Sequence, residues 1–207
     1  MRIAKEGYPI IAVPALIAVV AVVLGWTWIA VGFGIVASAV GAFFRDPDRT
    51  SPHGDGLILA PADGRIVDIR EIDVASGDRR TRLSIFMSPL DVHVNRAPIA
   101  GRVEEVEYHK GCFMPAYKED CSENNERNAL TLIDAKGQAI KLVQIAGIMA
   151  RRIVCWVKPG DRLEAGERFG IIMFGSRVDV LFPPAAKITV TERQHVTGGE
   201  TILAQTV

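Results

Sequence analysis

The chain has 207 residues, 24 basic and 24 acidic, and 49% of its residues are apolar. Zero formal net charge excludes a general nucleic-acid binder. The placement of the charge excludes a disordered or wholly soluble chain, because no Asp, Glu, Lys or Arg occurs between Glu6 and Arg45.

That uncharged stretch, Pro9–Phe44, would be about 54 Å long as a single helix, against a hydrocarbon core of about 30 Å. Leu24-Gly25-Trp26-Thr27-Trp28 supplies a break and two interfacial aromatics. The pattern predicts an N-terminal transmembrane helical hairpin of two short or tilted helices, near Pro9–Leu24 and Thr27–Phe44. Gly32, Gly34, Ser38 and Gly41 would allow close helix approach. Arg2 and Lys5 flank one end and Arg45 and Arg49 the other. Both ends then prefer the cytoplasm, which places the chain in the inner membrane with its globular part facing the cytoplasm. A cleaved signal peptide is disfavoured, since its apolar region usually runs to only about 7–15 residues. Residues 1–44 are thus expected to form the anchor and 45–207 a single domain.

Within 45–207, short β-rich runs recur: Arg65–Ile69, Leu83–Met87, Val103–Tyr108, Ala129–Ile133, Ile140–Ile145, Ile153–Val157, Gly170–Met173 and Val178–Leu181. Turn signals such as Ala62-Asp63-Gly64 and Lys158-Pro159-Gly160-Asp161 separate them. Many short strands with such punctuation predict a mostly β, sandwich- or barrel-like domain. Val157–Glu167, echoed at Val196–Ala204, resembles the hammerhead turns of lipoyl- and biotinyl-carrier domains. No lysine stands where those domains carry their prosthetic group. Cys112, Cys121 and Cys155 fit no metal spacing and are expected to be free thiols. His53 and His109 read as solvated histidines.

Three segments bear chemistry. Ala60-Pro61-Ala62-Asp63-Gly64 presents an Asp in a tight turn. In Met87-Ser88-Pro89-Leu90-Asp91-Val92-His93-Val94-Asn95-Arg96-Ala97-Pro98, strand alternation would put Asp91, His93 and Asn95 on one face. Ile171–Val180 carries Gly175-Ser176 after an apolar run. Ser176, a distant His and an Asp permit a nucleophile, a base and an orienter. Val178 excludes the G-x-S-x-G turn of α/β-hydrolases, so an esterase or protease is weakly supported.

Taken in order, these pieces resemble the phosphatidylserine decarboxylases of the short, membrane-anchored prokaryotic type. The matching segments are Phe43-Phe44-Arg45-Asp46-Pro47, Ala60–Gly64, Met87–Asn95, Glu123-Asn124-Asn125-Glu126-Arg127-Asn128, Gln144-Ile145-Ala146-Gly147 and Phe174-Gly175-Ser176. They are collinear from Phe43 to Ala204. Longer family members carry Leu-Gly-Ser-Thr where this chain has Phe174-Gly175-Ser176-Arg177, and a second histidine where it has Arg96.

The resemblance implies a carboxy-lyase that makes its own cofactor. Ser176 Oγ would attack the Gly175 carbonyl, and elimination would split the chain into 1–175 and 176–207. The new N-terminus would be a covalent pyruvoyl group derived from Ser176. His93 would be the base and Asp63 its orienter, with Asp91 as the alternative orienter. The pyruvoyl would form a Schiff base with phosphatidylserine and yield phosphatidylethanolamine. Implied partners are the phospholipid substrate in the bilayer and the enzyme's own two chains as a heterodimer, open to further oligomerisation, with no metal and no nucleic acid. Arg45, Arg49, Arg151 and Arg152 could lie near anionic headgroups. The competing reading is a non-catalytic, membrane-anchored lipoyl-like adaptor, which would give Asp63, His93 and Gly175-Ser176 no role.

Overall fold

The uncharged N-terminal stretch divides into two helices because Leu24, Gly25 and Trp26 are consumed by the turn between them. Gly25 there adopts φ +75°, a left-handed conformation that glycine takes without a Cβ penalty. The computed structural model describes residues 2–73, 79–113, 125–147, 152–173 and 176–206. Two compact units are present, Met1–Asp48 and Arg49–Val207.

In the first unit, β1 (Arg2–Ile3) leads into α1 (Gly7–Val23), followed by α2 (Thr27–Phe43) and β2 (Arg45–Asp46). β1 and β2 pair antiparallel, Arg2 opposite Asp46, and so clasp the base of the helical hairpin. Phe43 and Phe44 stack edge to face beneath it, with ring centroids 5.1 Å apart. Much of the helical surface is apolar and exposed, including Leu16, Val19, Val23, Trp28 and Ile35.

The transmembrane helical hairpin expected from the sequence is corrected here. Each helix has 17 residues, which at 1.5 Å per residue is about 26 Å against a core of about 30 Å. No helix among the described residues is long and apolar enough to cross a membrane. The physical reason lies at the ends: the turn takes the middle of the apolar stretch, and β2 takes the chain directly after Phe44.

The second unit is antiparallel β throughout its described strand pairings. Its strands are β3 (Leu57–Leu59), β4 (Gly64–Asp73), β5 (Arg79–Met87), β6 (Val94–Arg96), β7 (Gly101–His109), β8 (Arg127–Ile133) and β9 (Ala139–Ala146). They continue with β10 (Arg152–Cys155), β11 (Arg162–Leu163), β12 (Arg168–Met173), β13 (Ser176–Leu181), β14 (Ala186–Ile188), β15 (His195–Val196) and β16 (Ile202–Thr206). One eight-stranded sheet runs β11-β7-β8-β9-β13-β5-β4-β15; β10-β12-β6 and β14-β16-β3 form smaller sheets. Alternation puts Leu83, Ile85 and Met87 of β5, Leu142 of β9, and Val178 and Val180 of β13 into a common core with Phe169, Ile172 and Phe182. The two Gly-centred turns around β11 are stitched to the sheets through Gly160 N–H to Val103 O and Gly166 N–H to Ala97 O, both 2.8 Å.

β13 lies between β5 and β9, with Ser176 opposite Met87 on one side and Ala146 on the other. The strand preceding it, β12, belongs to a different sheet, between β6 and β10. The chain therefore changes sheets between Met173 and Ser176.

Candidate active site

Ser176 opens β13 on the face that carries Val178 and Val180 into the core. It is wholly buried, and its Oγ lies 3.3 Å from Met87 Sδ. A thioether is a weak acceptor, so the hydroxyl is only loosely committed there. Gly175, the other half of the candidate bond, lies with Phe174 outside the described residues. The described strands on either side of this point, β12 and β13, belong to different sheets.

His93 immediately precedes β6 and is wholly buried. Its carbonyl accepts the Ile172 N–H at 3.3 Å, tying it to β12 four residues before Ser176. Its Nδ1 lies 3.0 Å from the Asp91 carbonyl oxygen. A carbonyl can only accept, so Nδ1 carries a proton, which in the neutral ring leaves the lone pair on Nε2. That tautomer is competent to act as a base through Nε2. The strand expected over Asp91–Asn95 is shorter, Val94–Arg96, because Ser88–Asp91 forms a turn. Asp91 closes it by donating its N–H to Ser88 O (2.9 Å) and accepting the Ser88 N–H on Oδ2 (2.7 Å).

Asp63 sits at the turn into β4. Its Oδ1 accepts the Gly198 N–H at 2.7 Å and its Oδ2 accepts Arg49 Nη2 at 2.8 Å. Burial raises its carboxyl above the ordinary value of 3.8, outweighing the Gly198 amide and Arg49, and the Asp91 charge raises it further. Arg49, which the sequence suggested for headgroups, also reaches Glu200 at 3.3 Å. Arg151 lies outside the described residues. The described side-chain hydrogen bonds therefore join Asp63 to Arg49 and Gly198, and His93 to the Asp91 backbone. The Asp63 turn and β6 meet through Arg96 N–H to Pro61 O at 2.8 Å. His195, which no local pattern marked, lies with Nε2 3.2 Å from Asp91 Oδ1.

Sequence reasoning also missed a chain of buried carboxamides. Asn128 Nδ2 donates to Gln144 Oε1 (3.0 Å), and Gln144 Nε2 donates to Asn95 Oδ1 (2.8 Å). Asn95 Nδ2 then faces Met87 Sδ at 3.8 Å, the same sulfur that Ser176 Oγ touches. All three carboxamides are buried. Gly170 lets the chain pass: a Cβ there would stand 3.1 Å from Gln144 Nε2 and 2.5 Å from Val154 O. The signal available in sequence was the pair of segments Arg127-Asn128 and Gln144, which carry polar side chains at inward positions of β8 and β9.

On the other face of β13, Arg177 donates through Nε and Nη2 to both Asp179 oxygens (2.6 and 3.1 Å) and through Nη2 to Ser84 Oγ (2.8 Å). Cys112 and Cys155 are free thiols, and burial pushes the Cys155 thiol up. Cys121 lies outside the described residues. Among the described residues no group of three His, Cys, Asp or Glu side chains could hold a metal ion.

Comparison with known proteins bears on this arrangement. Residues 36–204 match the family model described as phosphatidylserine decarboxylase. A curated protein of Azorhizobium caulinodans, named phosphatidylserine decarboxylase proenzyme, is 46% identical over 210 residues, covering 97% of this chain and 87% of its own length. A protein of Xanthobacter autotrophicus with the same name is 45% identical over 205 residues, covering 96% of this chain and 87% of its own.

Proposed function

The chain belongs to the phosphatidylserine decarboxylase family, and on that premise we propose that its proenzyme cuts itself at Gly175–Ser176 to leave a pyruvoyl group at residue 176. Its activity is the removal of CO2 from phosphatidylserine, which makes it a carboxy-lyase. The adaptor reading is thereby displaced. The observation that carries the cleavage proposal is Ser176 itself: a wholly buried hydroxyl at the point where the chain leaves one sheet for another.

In this reading Ser176 Oγ attacks the Gly175 carbonyl carbon, its proton passing to His93 Nε2 and on to the departing nitrogen. The peptide C–N bond gives way to an ester C–O bond. Loss of the Cα proton then breaks the ester, so that residue 175 keeps both oxygens as its new carboxylate. Hydrolysis of the unsaturated amine left at position 176 releases ammonia and leaves a ketone. His93 suits the base, with its proton on Nδ1 and its lone pair on Nε2. Asp63 is assigned the negative charge that supports the base, held in place by Arg49 and Gly198.

The residues around Ser176 fit a small neutral group with carbonyl oxygens: Met87 touches it, and the buried amide of Asn95 faces the same sulfur. A pyruvoyl ketone supplies an electron sink for the loss of CO2 from an amino-acid carbon. The chain's own residues bury the site and hold residue 176 between β5 and β9.

The substrate is a phospholipid, so the reading includes association with a lipid surface. Its support is the apolar outer surface of the helical hairpin, where Leu16, Val19, Val23 and Trp28 are exposed. The hairpin is read as lying at that surface, on the cytoplasmic face of the inner membrane, with Arg2, Lys5 and Arg45 at its base. After processing, the working enzyme is a heterodimer of 1–175 and 176–207.

The deciding experiment compares wild type with Ser176→Ala on a denaturing gel. Wild type should give two chains and Ser176→Ala one. A stable single wild-type chain, or cleavage that persists in Ser176→Ala, overturns the proposal.

A further inference from the structure

We propose that Asn95 is the hydrogen-bond donor for the chemistry at Ser176, aimed by Gln144 and Asn128 acting as positioning residues. The proposal rests on the self-cleavage reading above and adds to it the group that stabilises the oxygen of the attacked carbonyl.

The chain of carboxamides has a direction. Gln144 accepts from Asn128 with Oε1, so the group it presents to Asn95 is Nε2. Asn95 must answer with Oδ1, which leaves its Nδ2 turned toward Met87 Sδ, the sulfur that Ser176 Oγ also touches. Among the described residues the acceptor met by that donor is the Met87 thioether, at 3.8 Å. Ser176 Oγ is 3.3 Å from the same atom. A wholly buried amide donor that is fixed by its bond from Gln144, itself held by Asn128, and ends on a weak sulfur acceptor is held in readiness for a stronger one. An oxygen gaining negative charge beside Ser176 is such an acceptor. Because the amide is already oriented, little reorganisation accompanies the reaction. Asn95 transfers no proton: the new C–O bond, the broken C–N bond and the proton path through His93 are unchanged.

Position 95 is also the residue that stands opposite Gly170 in the β6–β12 pairing. A Cβ at 170 would crowd Gln144 Nε2 at 3.1 Å, so glycine there eases the approach of Gln144 to Asn95. Four strands from two sheets, β6 and β12 of one and β8 and β9 of the other, thus contribute to one donor.

The test uses the full chain made by cell-free synthesis, with samples stopped at intervals and precursor and fragments resolved by gel and intact mass. Removing one oxyanion donor typically slows a reaction by about 10²–10³-fold, so Asn95→Asp should process at least about tenfold more slowly near neutral pH. Protonation of the carboxylate introduced by Asn95→Asp would restore an O–H donor, so the ratio of its rate to that of wild type should rise as pH falls. Because protonation also relieves a buried charge, the ratio is taken only at pH values where circular dichroism shows Asn95→Asp folded like wild type. There a purely structural role would not move it. Asn128→Asp changes a group two hydrogen bonds away. Its carboxylate would draw Gln144 Nε2, reverse the chain and turn Asn95 Oδ1 toward Ser176, slowing processing in the same sense.

Wild-type rates in folded Asn95→Asp, or a rate ratio independent of pH, overturn the proposal. If Asn95→Asp does not fold by thermal melting, Asn128→Asp decides: slowed processing supports the donor and a wild-type rate overturns it. Absence of fragments from wild type would instead refute the underlying self-cleavage reading.

Discussion

Arg177 and Asp179, one and three residues after Ser176, form an ion pair with both side chains only 3% exposed. The guanidinium binds both carboxylate oxygens and Ser84 Oγ, which fastens the start of β13 to β5 on the face opposite Ser176. Arg177→Met removes the cation and leaves Asp179 charged in a buried site. Breaking a buried pair in this way costs about 3–5 kcal/mol, because the remaining buried charge loses its bidentate partner. At roughly 2–4 °C per kcal/mol for a chain of this size, the melting temperature should fall by about 10 °C. Arg177→Met/Asp179→Leu removes both charges and should recover most of the loss, since an apolar pair of similar volume is often neutral or stabilising. Thermal unfolding followed by circular dichroism, with every variant in a Ser176→Ala background, keeps the cleavage state constant. A single variant that loses less than about 1 kcal/mol, as an exposed pair would, refutes the reasoning. So does a double variant as unstable as the single.

Asp63 gives a pH prediction: its folded-state pKa is raised, so its protonated form is favoured by folding. Its stability contribution is greatest below 3.8 and falls as pH rises through the folded value. The melting-temperature difference between wild type and Asp63→Asn, both as Ser176→Ala, should therefore decline with rising pH, and a flat or rising difference contradicts the burial argument. The two processed chains should co-purify and separate only in denaturant, because β13, β15 and β16 of the smaller chain pair with β5, β9, β4 and β3 of the larger; separation on a native column would contradict it. Gly64 has φ +151°, and a Cβ there would collide with the Phe86 carbonyl oxygen, so Gly64→Ala should lower the melting temperature markedly and misplace Asp63. An unchanged melting temperature would show that β4 and β5 can separate at no cost.

The strands were legible because their signal is local. Leu83–Met87, Ile140–Ile145 and Val178–Leu181 alternate or run apolar between turn residues, and all lie within described strands. Asp63, His93 and Ser176 stood out through short motifs and resemblance. Other features depend on pairings remote in sequence. Asn95, Gln144 and Asn128 become a chain only when β6, β9 and β8 are brought together, and nothing in the local sequence around each residue encodes that. Arg49 looked like a headgroup contact and instead binds Asp63 and Glu200. The hairpin was misjudged for another reason: hydropathy measured the whole apolar stretch, whereas the turn at Leu24–Trp26 and the clasp of β1 with β2 leave 17 residues for each helix.

The central claim is that Ser176 becomes the cofactor. The most direct measurement is the intact mass of the small chain from purified protein. Elimination carries the serine oxygen away in the new carboxylate of residue 175, and hydrolysis of the unsaturated amine then adds one water and releases one ammonia. A pyruvoyl start therefore predicts a fragment of residues 176–207 lighter than the serine-initiated chain by one molecule of ammonia. A fragment beginning with intact serine, a cut at any other bond, or an unbroken chain with decarboxylase activity would contradict it.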